Sequence, residues 1–179
     1  METKQIVINL IGGPGIGKTI LAADIFSKLK KNGVTCSVAP EYIKELLMRK
    51  AMKEITCQVK LFAEQHFILF SLTGEVDVIV TDAPLLLFPS YDKTKCPHLK
   101  ALVLKEYNQY DNLLYFIERD LNVPYETVGR YQDLDGAKQV DEDLKGFLSE
   151  NNISYETITG IGPDSLETIF KDVKIKLNK

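Results

Sequence analysis

The segment "QIVINLIGGPGIGKTILAADIF", residues 5–26, constrains the fold of this chain more than any other. An unbroken β-branched stretch runs through a glycine-rich break straight into residues with helical spacing. A continuous apolar run suits a strand covered on both faces, because a strand with one wet face alternates instead. Ile20, Leu21, Ile25 and Leu29 then recur at helical spacing over 17–31 until Asn32-Gly33 stops them. A buried strand feeding a helix is half of a parallel β-α-β unit, and the rest of the chain repeats the alternation.

Further strands are expected at "VTCSVA" (34–39), "EVDVIVTD" (75–82), "NLLYFIE" (112–118) and "ISYETI" (153–158). Helices are expected over about 41–52, 56–73, 98–110 and 137–150, then a closing helix with Leu166, Ile169, Phe170, Val173 and Leu177 on one face. A polar loop with proline and glycine, 119–136, follows the fourth strand. No linker or charge block divides the chain, so a single α/β domain over 1–179 is expected. At 45% apolar residues it can fill a core.

Charge excludes little but points away from polyanions: 22 basic residues stand against 25 acidic ones, with no global field of the kind that gathers nucleic acid or anionic membrane. Cys36, Cys57 and Cys96 show no metal-type spacing and read as buried thiols of a reducing compartment. No apolar run approaches the roughly 18 residues of a membrane span. The expected location is the cytoplasm.

The glycine-rich break itself fits G-x-x-x-x-G-K-[ST] over Gly12-Gly13-Pro14-Gly15-Ile16-Gly17-Lys18-Thr19, between a strand and a helix as that pattern requires. Glycines let successive backbone N–H groups turn inward as an anion nest, and the helix adds its positive end. Residues 13–19 are thus expected to cradle the phosphates of ATP, with Lys18 on the outer phosphates and the Thr19 hydroxyl on Mg²⁺. The third strand ends in Asp82, an acid placed as in a Walker B strand to hold Mg²⁺ directly or through water. No N/T-K-x-D or D-x-x-G follows in the places a GTPase uses, and the chain has no room for the further helical domain of ring-forming motor ATPases.

A transferase also needs an acid for the attacking group. Glu41, in "SVAPEYIKELL", falls just past the second strand, beside the phosphate loop of a parallel sheet. It suits a general base that orients an acceptor hydroxyl. Asp82 is the alternative base, because the two acids could exchange roles. Arginine is scarce: Arg49, Arg119 and Arg130 are the three among 22 basic residues. Arg119 and Arg130 bracket "ERDLNVPYETVGRYQ", a candidate lid that would close bidentate donors onto the transferring phosphoryl group. Arg49, on the helix after Glu41, suits either an acceptor phosphate or a solvated helix face. Gln58 and Gln65 share a helix face with Phe62 between them, which could read and stack a base, although Phe62, Phe67 and Phe70 at helical spacing equally suit a core. Tyr42 and Tyr91 fall where they would flank an acceptor pocket or pack. His66 and His98 have no partner spacing and receive no role.

Taken together, "GGPGIGKT", "APEYIKELL", "VDVIVTDAPLLL" and the lid followed by "GAKQVDEDLKGFL" resemble the small P-loop nucleotide and nucleoside kinases of bacteriophages, over nearly the whole chain. Deoxynucleoside kinases, polynucleotide kinases and nicotinamide riboside kinases share parts of the pattern. The resemblance implies a five-stranded parallel sheet ordered 2-3-1-4-5 with helices on both faces and a lid after strand four. It implies ATP and Mg²⁺ as cofactors, Glu41 as the base, and transfer of the γ-phosphate to a nucleoside or nucleotide. The "DAP" after strand three departs from the Asp-Arg-Tyr or Glu-Arg-Ser of that family, so the acceptor stays open. A DNA 5′-hydroxyl, a hydroxymethylated base in DNA, a slow regulatory ATPase and a homodimer all stay open with it.

Overall fold

The computed structural model describes residues 4–119 and 134–178. Its elements in chain order are β1 (Ile6–Ile11), α1 (Lys18–Lys31), β2 (Cys36–Ala39), α2 (Tyr42–Met48), α3 (Met52–Ile55), α4 (Gln58–Leu72), β3 (Val78–Thr81), α5 (Leu87–Tyr91), α6 (Pro97–Tyr107), β4 (Asp111–Glu118), α7 (Leu134–Glu150), β5 (Glu156–Thr159) and α8 (Pro163–Leu177). The five strands form one parallel sheet in the order β2-β3-β1-β4-β5, the order expected for a P-loop kinase fold.

The pleat explains why β1 carries no polar alternation. Val7 and Ile11 face one side with α4 to α7, while Ile6, Ile8 and Leu10 face the other with α1 and α8. Both sides are covered, so every position but one is apolar. The exception, Asn9, is buried with its amide donating to Val7 O at 3.1 Å and Asn112 Oδ1 at 2.9 Å, which ties β1 to β4. Register then aligns the strand ends: Thr81 pairs with both Asn9 and Ala39. The residues just beyond β1, β2 and β3 therefore emerge at one edge, where a parallel sheet binds its ligands.

Several sequence expectations need correction. The helical pattern over 41–52 is broken into α2 and α3 at Lys50, whose φ is 56°, and α5 appears where no element was expected. Helix α7 begins at Leu134, before the expected 137. Ile20 is exposed on α1, Leu177 is half-exposed on α8, and Phe67 and Phe70 of α4 face outward while Phe62 packs inward. Of the three cysteines Cys36 is buried, but Cys57 is exposed and Cys96 half-buried. Arg130 and most of the candidate lid lie outside the described residues.

Candidate active site

Four strand ends supply the site. The phosphate loop follows β1, Glu41 follows β2, Asp82 follows β3 directly and Arg119 follows β4 directly. Within the loop, Gly17 caps α1 with φ 86°, a left-handed conformation that opens the amides of the first turn without steric cost to a glycine. Lys18 folds back along the loop and donates to Gly12 O at 2.7 Å and Gly13 O at 2.8 Å. Burial lowers its pKa to about 8, against the opposing pull of Glu41, Asp82 and Asp141.

The structure brings Thr19 and Asp82 together: the threonine hydroxyl donates to Asp82 Oδ2 at 2.6 Å. Asp82 is buried. The pair offers two hard oxygens, the contribution Mg²⁺ takes from protein when phosphates and waters complete its octahedron. Among the described residues no group of three or more His, Cys, Asp or Glu side chains is placed to cage a metal.

Sequence reasoning missed two residues here. Lys44, in the first turn of α2, donates to Thr19 Oγ1 and Asp82 Oδ2, each at 2.7 Å, and lies 3.1 Å from Glu41 Oε2. Burial alone would lower its pKa, but the Asp82 hydrogen bond and the charges of Glu41 and Asp82 outweigh that and hold the ammonium above its ordinary value. The three-residue spacing from Glu41 was the available signal. The second is Asp141 of α7, which accepts from the Gly13 N–H at 2.5 Å and from Arg119 Nε at 2.7 Å. Arg119 also donates to Ala137 O at 3.3 Å. A Cβ on Gly13 would lie 2.7 Å from Ala137 O, so the close seating of α7 on the loop requires glycine there. No local pattern marks Asp141, because its partners are far away in sequence.

Gln65 is buried, with Oε1 accepting from the Tyr42 N–H at 2.9 Å and Nε2 donating to Pro40 O at 3.0 Å. It pins the backbone on both sides of Glu41. Phe62 is buried against Phe88, and Tyr42 packs on the same core. Gln58 opens α4 half-buried. Arg49 pairs with Glu45 at 3.1 Å, both side chains exposed. Tyr91, by contrast, is drawn into the site's field. Desolvation and then the charges of Glu41 and Asp141 push its hydroxyl up to about 12.

Comparison with known proteins agrees with this geometry. Thymidylate kinase from Ehrlichia chaffeensis superposes with a TM-score of 0.64 at 14% identity, over 98% of this chain and 100% of that one. An NadR protein in complex with NR superposes with a TM-score of 0.59 at 15% identity, over 87% of this chain. The match spans 43% of the NadR chain, so it concerns one part of that protein. At these identities the likeness is one of fold. No curated protein matches in sequence. The profile of the AAA-domain family matches residues 7–163, from inside β1 to the start of α8. A match of that extent takes in the other four strands, all but the first residue of β1 and the whole phosphate loop, and the chain therefore belongs to the AAA-domain family.

Proposed function

We propose that the protein is an ATP-dependent phosphotransferase that moves the γ-phosphate of ATP to a hydroxyl or phosphate of a nucleoside or nucleotide. The observation that carries this reading is the meeting of two separate acids at one edge of the sheet. Asp82 is bonded to Thr19, while Glu41 stands apart on the next strand end and is more open to solvent. An ATPase needs the first; an acceptor with a proton to lose needs the second. The thymidylate kinase and NadR–NR likenesses support a nucleoside or nucleotide as the acceptor class.

In this reading the 13–19 loop cradles the ATP phosphates through the amides of residues 15–19 and Lys18, the Gly13 amide being held by Asp141, and Thr19 and Asp82 would hold Mg²⁺, which would supply charge neutralisation to the phosphates. Glu41 orients the acceptor and takes its proton when that acceptor is a hydroxyl. The new bond forms from the acceptor oxygen to the γ-phosphorus as the bond to the β-phosphate oxygen breaks, and ADP leaves. Arg119, oriented by Asp141, neutralises charge on the moving group, with Arg130 as its candidate partner from the lid. Tyr42, Gln58 and Phe62 belong to the helices that would wall the acceptor side, with Gln65 holding the backbone on both sides of Glu41.

Incubation with Mg²⁺ and γ-labelled ATP against nucleosides, nucleoside monophosphates, nicotinamide riboside, and plain or hydroxymethylated DNA tests the proposal. Label is expected on one small acceptor, falling by about 10²–10⁴-fold in Glu41→Gln while ADP binding is unchanged. Label on DNA alone would move the acceptor to a polymer. Label only in free phosphate across the panel would overturn the kinase reading in favour of an ATPase.

A further inference from the structure

Asp82 is one of the least exposed acids of the site, its side chain 4% accessible, and a carboxylate so placed needs a cation beside it. Lys44 is that cation. Its ammonium lies on the two oxygens, Thr19 Oγ1 and Asp82 Oδ2, that form the metal pair, and its third contact is Glu41 Oε2. Two features make this more than an incidental surface pair. First, a lysine in the first turn of a helix opposes the helix dipole, so the three oxygens hold it there against a local bias. Second, the Lys44 side chain remains 45% accessible on a flexible stem, so its head can leave toward water with little rearrangement.

An ammonium and a divalent cation cannot share the same lone pairs at 2.7 Å, because their mutual repulsion would exceed what either gains. We propose that Lys44 is a built-in counter-ion of the metal site, which competes with the divalent cation for the Thr19–Asp82 pair and is displaced when the cation enters. The ammonium then keeps Glu41 as its carboxylate partner. Lys44 thereby prevents Glu41 and Asp82 from repelling one another until metal and nucleotide arrive together, and it weakens binding of metal alone. The inference rests on the reading of Thr19 and Asp82 as the metal pair.

The test is titration of the full chain with Mn²⁺ in the absence of nucleotide, following free Mn²⁺ by electron paramagnetic resonance. Lys44→Gln is expected to bind Mn²⁺ about three- to tenfold tighter than wild type, the scale of releasing one half-exposed ion pair. Lys44→Arg, which keeps the charge, is expected to bind no tighter than wild type. Asp82→Asn is expected to lose the binding. Equal or weaker Mn²⁺ binding by Lys44→Gln, with Asp82→Asn still deficient, would overturn the counter-ion role and leave the metal pair standing. Wild-type binding by Asp82→Asn would overturn the metal pair itself, and the role of Lys44 with it.

Discussion

Lys18 shows how one side chain prepares a loop for its ligand. With its ammonium on the Gly12 and Gly13 carbonyls and its pKa lowered to about 8, it is largely neutral at pH 9. Phosphate oxygens favour the charged form, so nucleotide binding above pH 8 draws in a proton. Calorimetry with ADP at pH 9, in two buffers of different ionisation enthalpy, is expected to report uptake approaching about one proton, falling as the pH is lowered through 8. Equal heats in both buffers at pH 9 would contradict it. The same lowered pKa makes the folded chain release its proton before the unfolded one, so this residue's contribution to stability rises between pH 8 and 10.5. The loop that holds Lys18 was legible in the sequence because its glycines, lysine and threonine are contiguous. Asp141 was not, since it acts on groups that only the folded sheet brings near, and of Lys44 the sequence offered only the spacing from Glu41, not its reach to Thr19 and Asp82.

At the scale of elements, the turn from β2 into α2 carries the acid of the site and is held by α4. Gln65 satisfies the Tyr42 amide and the Pro40 carbonyl on either side of Glu41. Gln65→Ala leaves both without their partner, at a cost expected to be about 1–3 kcal/mol in urea unfolding, and is expected to lower phosphotransfer more than ADP binding. Unchanged stability would show that water replaces the amide without loss. The sequence placed this glutamine on the helix after Glu41 and left open a base contact or a core position, because spacing along a helix gives a direction and not the distance to what lies there. The same limit explains α4: Phe62, Phe67 and Phe70 have equal claims on the core by periodicity, and packing buried one of them. The break between α2 and α3 escaped notice because Lys50 carries a positive φ without being glycine or asparagine.

Across the whole molecule, alternation of strands and helices was enough to predict a parallel sheet with two covered faces. It could not say on which side of β1 each later strand would add, and the order came from resemblance to known kinases. The two faces pack as separate layers, one built on α1 and α8 and the other on α4 to α7. Because the phosphate loop joins the strand common to both layers, nucleotide should stabilise the molecule as one unit. Mg²⁺ and ATP at one hundred times the dissociation constant are expected to add about 2.7 kcal/mol and raise Tm by roughly 5–10 °C. Lys18→Ala is expected to lose that shift, and a shift that survives the substitution would locate binding elsewhere.

The bond from the Gly13 amide to Asp141 spans 128 residues. Translation therefore produces the phosphate loop early and its anchoring carboxylate late, after β4 and the first turns of α7 have left the ribosome. A nascent chain arrested before residue 141 carries every glycine of the nest yet lacks the group that fixes its first amide and aligns Arg119. The binding loop is thus completed by an element synthesised 128 residues after it, which defers its final shape until α7 has emerged.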